Sequence, residues 1–258
     1  MPRIILFLSA IMIFFSAYSE NSPTEKALDY LEKNQTSLGL WDSDGNKSFF
    51  DTYATLKTLT KLQHDKATIL TNLSKINLIL NLPASPETIK EIAIKLYADD
   101  NYSADSLLAM QNADEGWGNS ADKQSDPLNT SIIVNLLIEK EITPSIPWTT
   151  TSDYLISIQN PDGFWNTSDE TALSKLEITA KIVRTLQKLN KNGVTDNALL
   201  LSINNALNAL RGTLQTDGSF RTTSDLTSFP SLIDTAEVYQ TLLQYDQPAL
   251  YFDTLTLL

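Results

Sequence analysis

The stretch from Gln159 to Trp165 reads QNPDGFW, and close variants of it occur at three other places in the chain. These variants are QTSLGLW at 35–41, QNADEGW at 111–117 and QTDGSF at 215–220. Each one ends a helix-like run, and an apolar stretch led by a threonine follows each one. A unit that recurs in this way buries its apolar face only by packing on its neighbours. The sequence therefore predicts an array of helical hairpins.

The turn in each block is expected to depend on a glycine, and the predicted turn glycines are Gly39, Gly116, Gly163 and Gly218. An aspartate before the glycine favours a left-handed turn with little strain. The glutamine amide can satisfy backbone groups left open at the helix end, and the aromatic ring can fold back over that end. Because turn aromatics in repeat arrays mainly fix the packing of neighbouring units, we interpret these residues as structural and not as a binding site.

Apolar periodicity predicts helices over nearly the whole chain, and no strand alternation competes with it. Ser22 begins a capping box, and Ser85-Pro86 and Asp126-Pro127 give cap-then-proline signals for two further helix starts. The residues form five predicted pairs of helices, and Pro248–Leu258 is typical of the start of an eleventh helix. The ten predicted helices span about 23–35, 51–63, 66–80, 86–98, 103–111, 127–140, 148–159, 174–190, 196–214 and 230–244.

Residues 1–19 are predicted to be a secretory signal peptide. Arg3 supplies positive charge, Ile4 to Phe15 form a short apolar run, and Ala17-Tyr18-Ser19 places small residues at a cleavage site. Because a membrane-spanning helix needs roughly 20 apolar residues, a permanent anchor is the less favoured alternative. We therefore expect an exported bacterial protein in the periplasm, at the cell surface or outside the cell.

The composition excludes several kinds of site and partner. The chain has no cysteine, so it can form neither a disulfide nor a thiolate metal site. Its formal net charge of −12 repels phosphate, which disfavours nucleic acid and anionic lipid as partners. No nucleotide-binding or nucleophile-elbow motif occurs, and we predict no cofactor and no metal.

The repeated block and the helix starts that follow it resemble the repeat of squalene and hopene cyclases and of protein prenyltransferase β subunits. Those helix starts are Asp51-Thr52, Asn129-Thr130 and Asp234-Thr235. The resemblance covers about 23–258 and implies an all-α fold, an α/α toroid in which an inner ring of helices surrounds a cavity. Residues 20–258 are thus expected to form one toroid domain. A full toroid has a sixth hairpin, of which this chain shows only the start, so the ring is incomplete or the chain is the first part of a longer protein.

The resemblance does not bring the cyclase chemistry with it. Cyclases of this family protonate an alkene with an Asp-rich segment, and the nearest match here is Tyr97-Ala98-Asp99-Asp100, which lacks the first aspartate. Asp99 and Asp100 are therefore weak catalytic candidates, and a solvated pair at a helix end is the favoured alternative. Asp234 is a third weak candidate.

The metal chemistry of the prenyltransferases is also missing. Their zinc is held by Asp, Cys and His, and a chain with no cysteine and the single histidine His64 cannot reproduce that site. We expect His64 to be a hydrated residue in the connection between two helices. The acidic turn at 42–45 is interpreted as a turn former, because it supplies too few oxygen ligands in order for calcium.

Two functions from different classes remain. The favoured one is a secreted, non-catalytic toroid module that binds a protein or ligand partner. The alternative is a terpene cyclase-like isomerase, or an isoprenoid-binding protein with a degenerate active site. The candidate ligand-binding residues, each of which could instead be a cap or a packed wall residue, are Tyr53, Glu177, Glu237 and Tyr239. A dry, aromatic-lined cavity with a buried carboxylic acid would favour the enzyme, and a filled ring would favour the module.

Overall fold

A computed structural model describes eight stretches of the chain. These are residues 22–37, 39–41, 48–81, 88–99, 101–142, 147–166, 173–222 and 231–244, without the side chains of 48–51, 53 and 54. The predicted signal peptide and the predicted eleventh helix lie outside these residues, as does the acidic turn at 42–45.

The described residues form ten α-helices and no β-strand, which confirms the all-α prediction for this part of the chain. In chain order the helices are α1 (Pro23–Lys33), α2 (Ser48–Lys61), α3 (Asp65–Asn81), α4 (Ile89–Ala98), α5 (Asp105–Ala109), α6 (Pro127–Glu139), α7 (Trp148–Ser157), α8 (Lys175–Lys191), α9 (Asn197–Arg211) and α10 (Leu232–Leu243). Among the residues described, none of these helices is long and apolar enough to cross a membrane.

Most helix starts follow the capping signals of the sequence. Ser22 accepts the backbone N–H of Glu25 at 3.2 Å, and Asp126 accepts two N–H groups at the start of α6. The predicted cap at Ser85-Pro86 lies outside the described residues. Within them, Thr88 and Glu91 form a reciprocal capping box at the start of α4. The Thr88 N–H donates to Glu91 Oε2 at 3.1 Å, and the Glu91 N–H donates to Thr88 Oγ1 at 3.3 Å.

The chain divides into two compact units, one formed by 1–84 and 94–102 and the other by 85–93 and 103–258. In the first unit, α3 packs against both α1 and α2. In the second unit, α8 is central and packs against α6, α7, α9 and α10, while α7 also packs against α9. Alternate helices of the second unit therefore touch, which gives it one layer of α6, α8 and α10 and another of α7 and α9. Stacked hairpins produce this pattern.

Apolar periodicity in the two sequence segments that form α6 and α8 predicts six buried residues, namely Ile132, Val134, Leu136, Ile182, Val183 and Leu186. All of them are buried except Ile132, which is partly exposed while its neighbour Ile133 is fully buried. Burial of each large aliphatic side chain contributes roughly 1.5 to 3 kcal/mol, so α6 and α8 supply a large share of the core.

The four repeated blocks fold into the same backbone turn. In each, the N–H of one residue donates to the carbonyl four residues later. The pairs are Thr36 to Leu40 at 2.8 Å, Asn112 to Gly116 at 2.9 Å, Asn160 to Phe164 at 2.9 Å and Gln215 to Ser219 at 2.8 Å. Alignment by these bonds places Leu214, and not Gln215, at the position that glutamine occupies in the other three blocks.

The same alignment corrects the prediction for one turn glycine. The left-handed residue of the turn is Gly39, Gly163 or Gly218 in three blocks, but in the second block it is Glu115, with φ of 65°. Gly116 is needed for a different reason, because a Cβ on it would lie 2.7 Å from both Ser125 Cβ and Tyr154 Cε1. Its neighbours, and not its φ, exclude a side chain there.

The tryptophan of each block caps the helix that precedes the turn. The indole N–H of Trp41, Trp117 and Trp165 donates to the carbonyl ten residues earlier, at 2.8, 2.9 and 2.8 Å. The side chain of Phe220 has no N–H group that could take the place of the indole N–H in the fourth block. There the hydroxyl of Thr213 donates to the corresponding carbonyl of Leu210 at 2.7 Å, so this acceptor is also satisfied.

A threonine in the following helix holds the turn from the other side. Its Oγ1 accepts the backbone N–H of the aromatic residue in all four blocks. The pairs are Trp41 with Thr52 at 2.9 Å, Trp117 with Thr130 at 2.9 Å, Trp165 with Thr179 at 3.2 Å and Phe220 with Thr235 at 3.3 Å. The sequence separation varies from 11 to 15 residues, so this bond is kept while the loop between its partners changes length.

We predict that Gly163→Ala lowers the free energy of unfolding by about 2 kcal/mol or more, and Gly193→Ala by only about 1 kcal/mol. Both glycines have positive φ, but a Cβ on Gly163 would lie 2.7 Å from the Asn205 carbonyl oxygen, whereas Gly193 has nothing within 4 Å. Urea unfolding of the two variants separates backbone strain from the steric clash. Equal losses would show that the packing of the turn contributes nothing.

We also predict that Thr179→Val costs about 1 to 3 kcal/mol, because the fully buried Thr179 hydroxyl is the acceptor for the Trp165 N–H. Thr179→Ser keeps the acceptor and should cost less, although it removes more apolar volume. Thermal and urea unfolding of both variants test the order. A serine variant that is less stable than the valine variant would contradict the role of the hydrogen bond.

Candidate functional site

Three of the predicted site residues, Glu177, Asp234 and Glu237, come together where α8 packs against α10. Lys181 of α8 lies between two carboxylates, 3.4 Å from that of Glu177 and 3.2 Å from that of Glu237. These side chains are mostly buried, and their charges largely compensate one another.

Arg184 is the main anchor of α10 in this cluster. Its guanidinium pairs with the Glu237 carboxylate, donates to the Glu237 carbonyl at 3.1 Å and donates to Thr241 Oγ1 at 2.6 Å. A planar guanidinium with several donors suits this combination of partners. Arg184 thus binds both the side chain and the backbone of α10.

The two glutamates have opposite pKa shifts. Burial raises the pKa of Glu177, and the nearby Glu237 and Asp234 raise it further, against the opposing charge of Lys181. Burial would also raise the pKa of Glu237, but Lys181 and Arg184 together outweigh burial and lower it. Glu237 is therefore held as a carboxylate, while Glu177 takes up a proton more readily than an ordinary glutamate.

The charged residues of α8 form one continuous row, which we call the charged stripe: Glu177, Lys181, Arg184 and Lys188. Their spacing of three or four residues places them on one face of the helix. Lys188 pairs with Glu139 of α6 at 3.0 Å, so the stripe is bound to α6 through Lys188 and to α10 through Lys181 and Arg184. Each of its side chains keeps some solvent exposure.

Asp234 and Tyr239 have different places near the stripe. Ser174, which caps α8 by accepting the Glu177 N–H at 3.0 Å, donates its hydroxyl to Asp234. Asp234 therefore links the start of α10 to the start of α8. Tyr239 follows Glu237 by two residues, about 200° further around the helix, so its partly exposed side chain projects away from the stripe.

The remaining acidic candidates lie elsewhere. Asp99 directly follows α4 and accepts the Asn101 N–H at 3.0 Å, as a turn residue does. Asp100 lies outside the described residues, and Tyr53 belongs to α2 without a described side chain.

His64 is not simply hydrated, as its position between two helices had suggested. Its Nε2 lies 2.8 Å from Glu25 Oε1, and its Nδ1 accepts the Lys66 N–H at 3.2 Å. The acceptor role of Nδ1 places the proton of the neutral ring on Nε2. Lys66 itself pairs with Asp29 and Glu32, which raise its pKa, so this region joins α1 to the start of α3.

A shallow cleft of about 430 Å³ lies beside the second turn, between 112–114 and 121–125. Its walls are joined by Ser125, which accepts the Asn112 side-chain amide at 2.9 Å and donates to Asp114 at 2.6 Å. Burial raises the pKa of the adjacent Tyr154, and the negative charges of Asp114 and Asp126 add to the effect. Within the described part of the chain, no three His, Asp or Glu side chains are grouped to hold a metal ion.

No protein-family model, curated protein sequence or solved structure matches this chain. The resemblance to the cyclase and prenyltransferase repeat therefore remains a prediction that rests on the repeated block. The function has to be argued from the residues themselves.

The sequence-based prediction included the acidic residues of this cluster, Glu177, Asp234 and Glu237, but not its basic residues. Lys181, Arg184 and Lys188 follow Glu177 at intervals of three and four residues, a spacing that could have marked a single charged face of α8. Their partners Glu139 and Glu237 lie on separate helices, 49 and 53 residues away from Lys188 and Arg184. No local pattern indicates those pairs.

We predict opposite effects on stability when the two glutamates are neutralised at pH 7. Glu237→Gln should cost about 1 to 2 kcal/mol, because it breaks a mostly buried ion pair. Glu177→Gln should be neutral or stabilising, because the raised pKa shows that the folded protein disfavours the ionised form.

The effect of pH on unfolding checks this difference. The lowered pKa of Glu237 stabilises the folded state at pH values above the unfolded pKa, and this contribution is lost as the pH falls through the folded pKa. The difference in the free energy of unfolding between the parent and Glu237→Gln should therefore shrink below about pH 4. A raised pKa stabilises the folded state only at low pH, and this contribution is lost as the pH rises through the folded pKa. Any gain in the free energy of unfolding from Glu177→Gln should therefore appear at neutral pH and disappear at acidic pH. Equal pH profiles for both variants would contradict the assignment.

Proposed function

We propose that this chain is an exported, non-catalytic module of helical hairpins arranged as an α/α toroid, which binds a partner protein through the charged stripe. The observation that carries the proposal is the stripe itself, a row of partly exposed, ion-paired side chains on the central helix of the second unit.

The stripe occupies a helix face that an isoprenoid-binding protein would be expected to line with apolar groups. In an α/α toroid, the helices that follow the repeated turns would form the inner ring. The helix α8, which follows the third turn and contains Thr179, would then line the ring with one of its faces. An apolar ligand against Lys181 and Arg184 would remove their charges from water without replacing the lost hydration. A polar protein surface can supply compensating charges and hydrogen bonds there.

The repeated block also supports a structural and not a catalytic use of its side chains. The tryptophan indoles bond to preceding carbonyls, and the threonine hydroxyls bond to the aromatic N–H groups. The Gln35, Gln111 and Gln159 amides donate to the carbonyl of the left-handed turn residue at 3.2, 2.9 and 3.0 Å. Their hydrogen bonds account for their recurrence without a ligand.

The toroid arrangement is supported by the packing of alternate helices within the second unit. The helices that contain the repeated threonines, α6, α8 and α10, lie side by side in one layer, and α7 and α9 lie in the other. In an α/α toroid the first layer would be the inner ring. The stripe would then face the ring or its rim.

We predict that Lys188→Glu abolishes retention of the partner, because it reverses a charge of the stripe and places two acidic groups against each other at Glu139. The matched control is Lys123→Glu, which makes the same charge change at an exposed loop residue outside the stripe. The test is affinity capture from exported proteins of the source organism, followed by direct binding measurements with the purified partner. Equal loss in both variants would indicate a general charge effect and would contradict the assigned surface.

An enzyme assay addresses the alternative function. The purified chain should not convert squalene or a prenyl diphosphate, and product analysis by mass spectrometry measures this directly. Turnover that disappears when Asp99, Asp100 or Asp234 is changed to Asn would overturn the module and establish a cyclase-like enzyme.

A further inference from the structure

The connection between α8 and α9 begins with Asn192-Gly193, the only asparagine–glycine pair in the chain. Both residues are exposed. A backbone nitrogen that follows an asparagine can attack the side-chain carbonyl carbon, and a side chain on the attacking residue crowds this ring closure. Glycine has no Cβ, so the crowding is smallest at this pair.

Gly193 is part of a hydrogen-bonded turn that ends α8. Its N–H donates to the Asn190 carbonyl at 3.1 Å, and the Val194 N–H donates to the Leu189 carbonyl at 3.1 Å. Gly193 has a φ of 96°, so the turn is a Schellman motif with glycine at its left-handed position. The nitrogen that would attack is therefore bound to the last turn of α8 in the closed state.

The amide that would leave is bound to the same turn. Asn192 is the C-cap residue of α8, and its side-chain amide donates to the Lys188 carbonyl at 2.8 Å. A Cβ on Gly193 would meet no atom within 4 Å, so side-chain packing does not hold this glycine in place. Since helix ends open more readily than helix centres, loss of a few hydrogen bonds frees both reacting groups.

We propose that Asn192 is a deamidation site, which reacts when the last turn of α8 opens. Hydroxide removes the proton from the Gly193 nitrogen, which attacks Asn192 Cγ. The bond from Cγ to the side-chain nitrogen breaks, water protonates the departing nitrogen, and ammonia leaves with the hydroxide regenerated. The product is a five-membered cyclic imide between the two residues.

Water then opens the imide at either of its two carbonyl carbons. Opening at one carbon gives aspartate, and opening at the other gives isoaspartate, in which the main chain continues through the former side chain. No atom is oxidised or reduced, and water is the only co-reactant. A mixture of both products is the signature of this route, because direct hydrolysis of the amide gives aspartate alone.

Both products weaken the end of α8. A carboxylate at residue 192 cannot donate to the Lys188 carbonyl, and it lies beside the partial negative charge of the last helix carbonyls. Isoaspartate also adds one methylene to the main chain before Val194, which is only 2% exposed. The inference does not depend on the proposed binding function, because no side chain of the charged stripe takes part in the reaction.

Peptide mapping by mass spectrometry tests the site in the purified full chain, incubated at mildly alkaline pH. Conversion at Asn192 should exceed conversion at Asn119, which serine follows, by at least about tenfold, equivalent to about 1.4 kcal/mol in the barrier. Aspartate and isoaspartate peptides, separated by chromatography, should both form at residue 192. Absence of conversion there, or aspartate as the only product, would overturn the proposal.

Gly193→Ala is the matched control for the attacking residue. Its methyl group should slow the reaction at least about tenfold when parent and variant are compared in guanidinium chloride, where the fold no longer contributes. The parent itself should react at least about tenfold more slowly when folded than when unfolded, because the turn must open first. Equal rates in the first comparison would exclude attack by the residue 193 nitrogen, and equal rates in the second would exclude opening as a requirement.

The variant Asn192→Asp measures the effect of the aspartate product without waiting for the reaction. It should lower the midpoint of urea unfolding, because the new charge lies at the C-terminal end of a helix. The control Asn197→Asp makes the same change at the exposed first residue of α9, where negative charge is favoured, and should lower the midpoint less. Equal shifts would indicate a general charge effect and contradict the assigned consequence.

Discussion

The hydrogen bond from the aromatic backbone N–H to the threonine hydroxyl is the constraint on which the other features depend. It connects the end of one helix to the beginning of the next in all four blocks, and it survives loops of different length. Both partners are buried in the first three blocks, so an N–H without its acceptor would carry the full cost of desolvation. In the first three blocks the indole bond on the other side of the turn fixes the preceding helix, and together the two bonds attach both helices to the turn.

Once the hairpins are fixed, neighbouring turns and helices determine how they stack. The fourth block shows that the required interaction, and not a particular side chain, is preserved. Phe220 cannot donate to the preceding helix, and Thr213 supplies the missing donor from within the same turn. Glu115 shows the same principle for the backbone, because a non-glycine residue takes the left-handed conformation where the turn demands it. A residue-by-residue comparison of the blocks therefore understates how similar they are.

The charged stripe illustrates how stacking creates a surface that no single helix contains. Arg184 and Lys181 obtain their partner Glu237 from α10, and Lys188 obtains Glu139 from α6. Pairing lowers the pKa of Glu237, while burial raises that of Glu177, although the two glutamates share Lys181. The stripe thus helps to hold the layer of α6, α8 and α10 together, while its side chains keep part of their surface in solvent.

The sequence alone determined the helical class, the ten helices and most of their boundaries, because apolar periodicity and capping are local. It also identified the repeated turn and three acidic residues of the stripe region. The left-handed residue of the second block was misplaced, because Gly116 directly follows Glu115, which takes the positive φ. The Thr88–Glu91 capping box was missed although its spacing of three residues is a local signal. Only the tertiary structure decided which charges pair, because Arg184 finds Glu237 on α10 and Lys188 finds Glu139 on α6. These partners lie 53 and 49 residues apart in the chain, and the free energy of each pair depends on helix packing that no local pattern encodes.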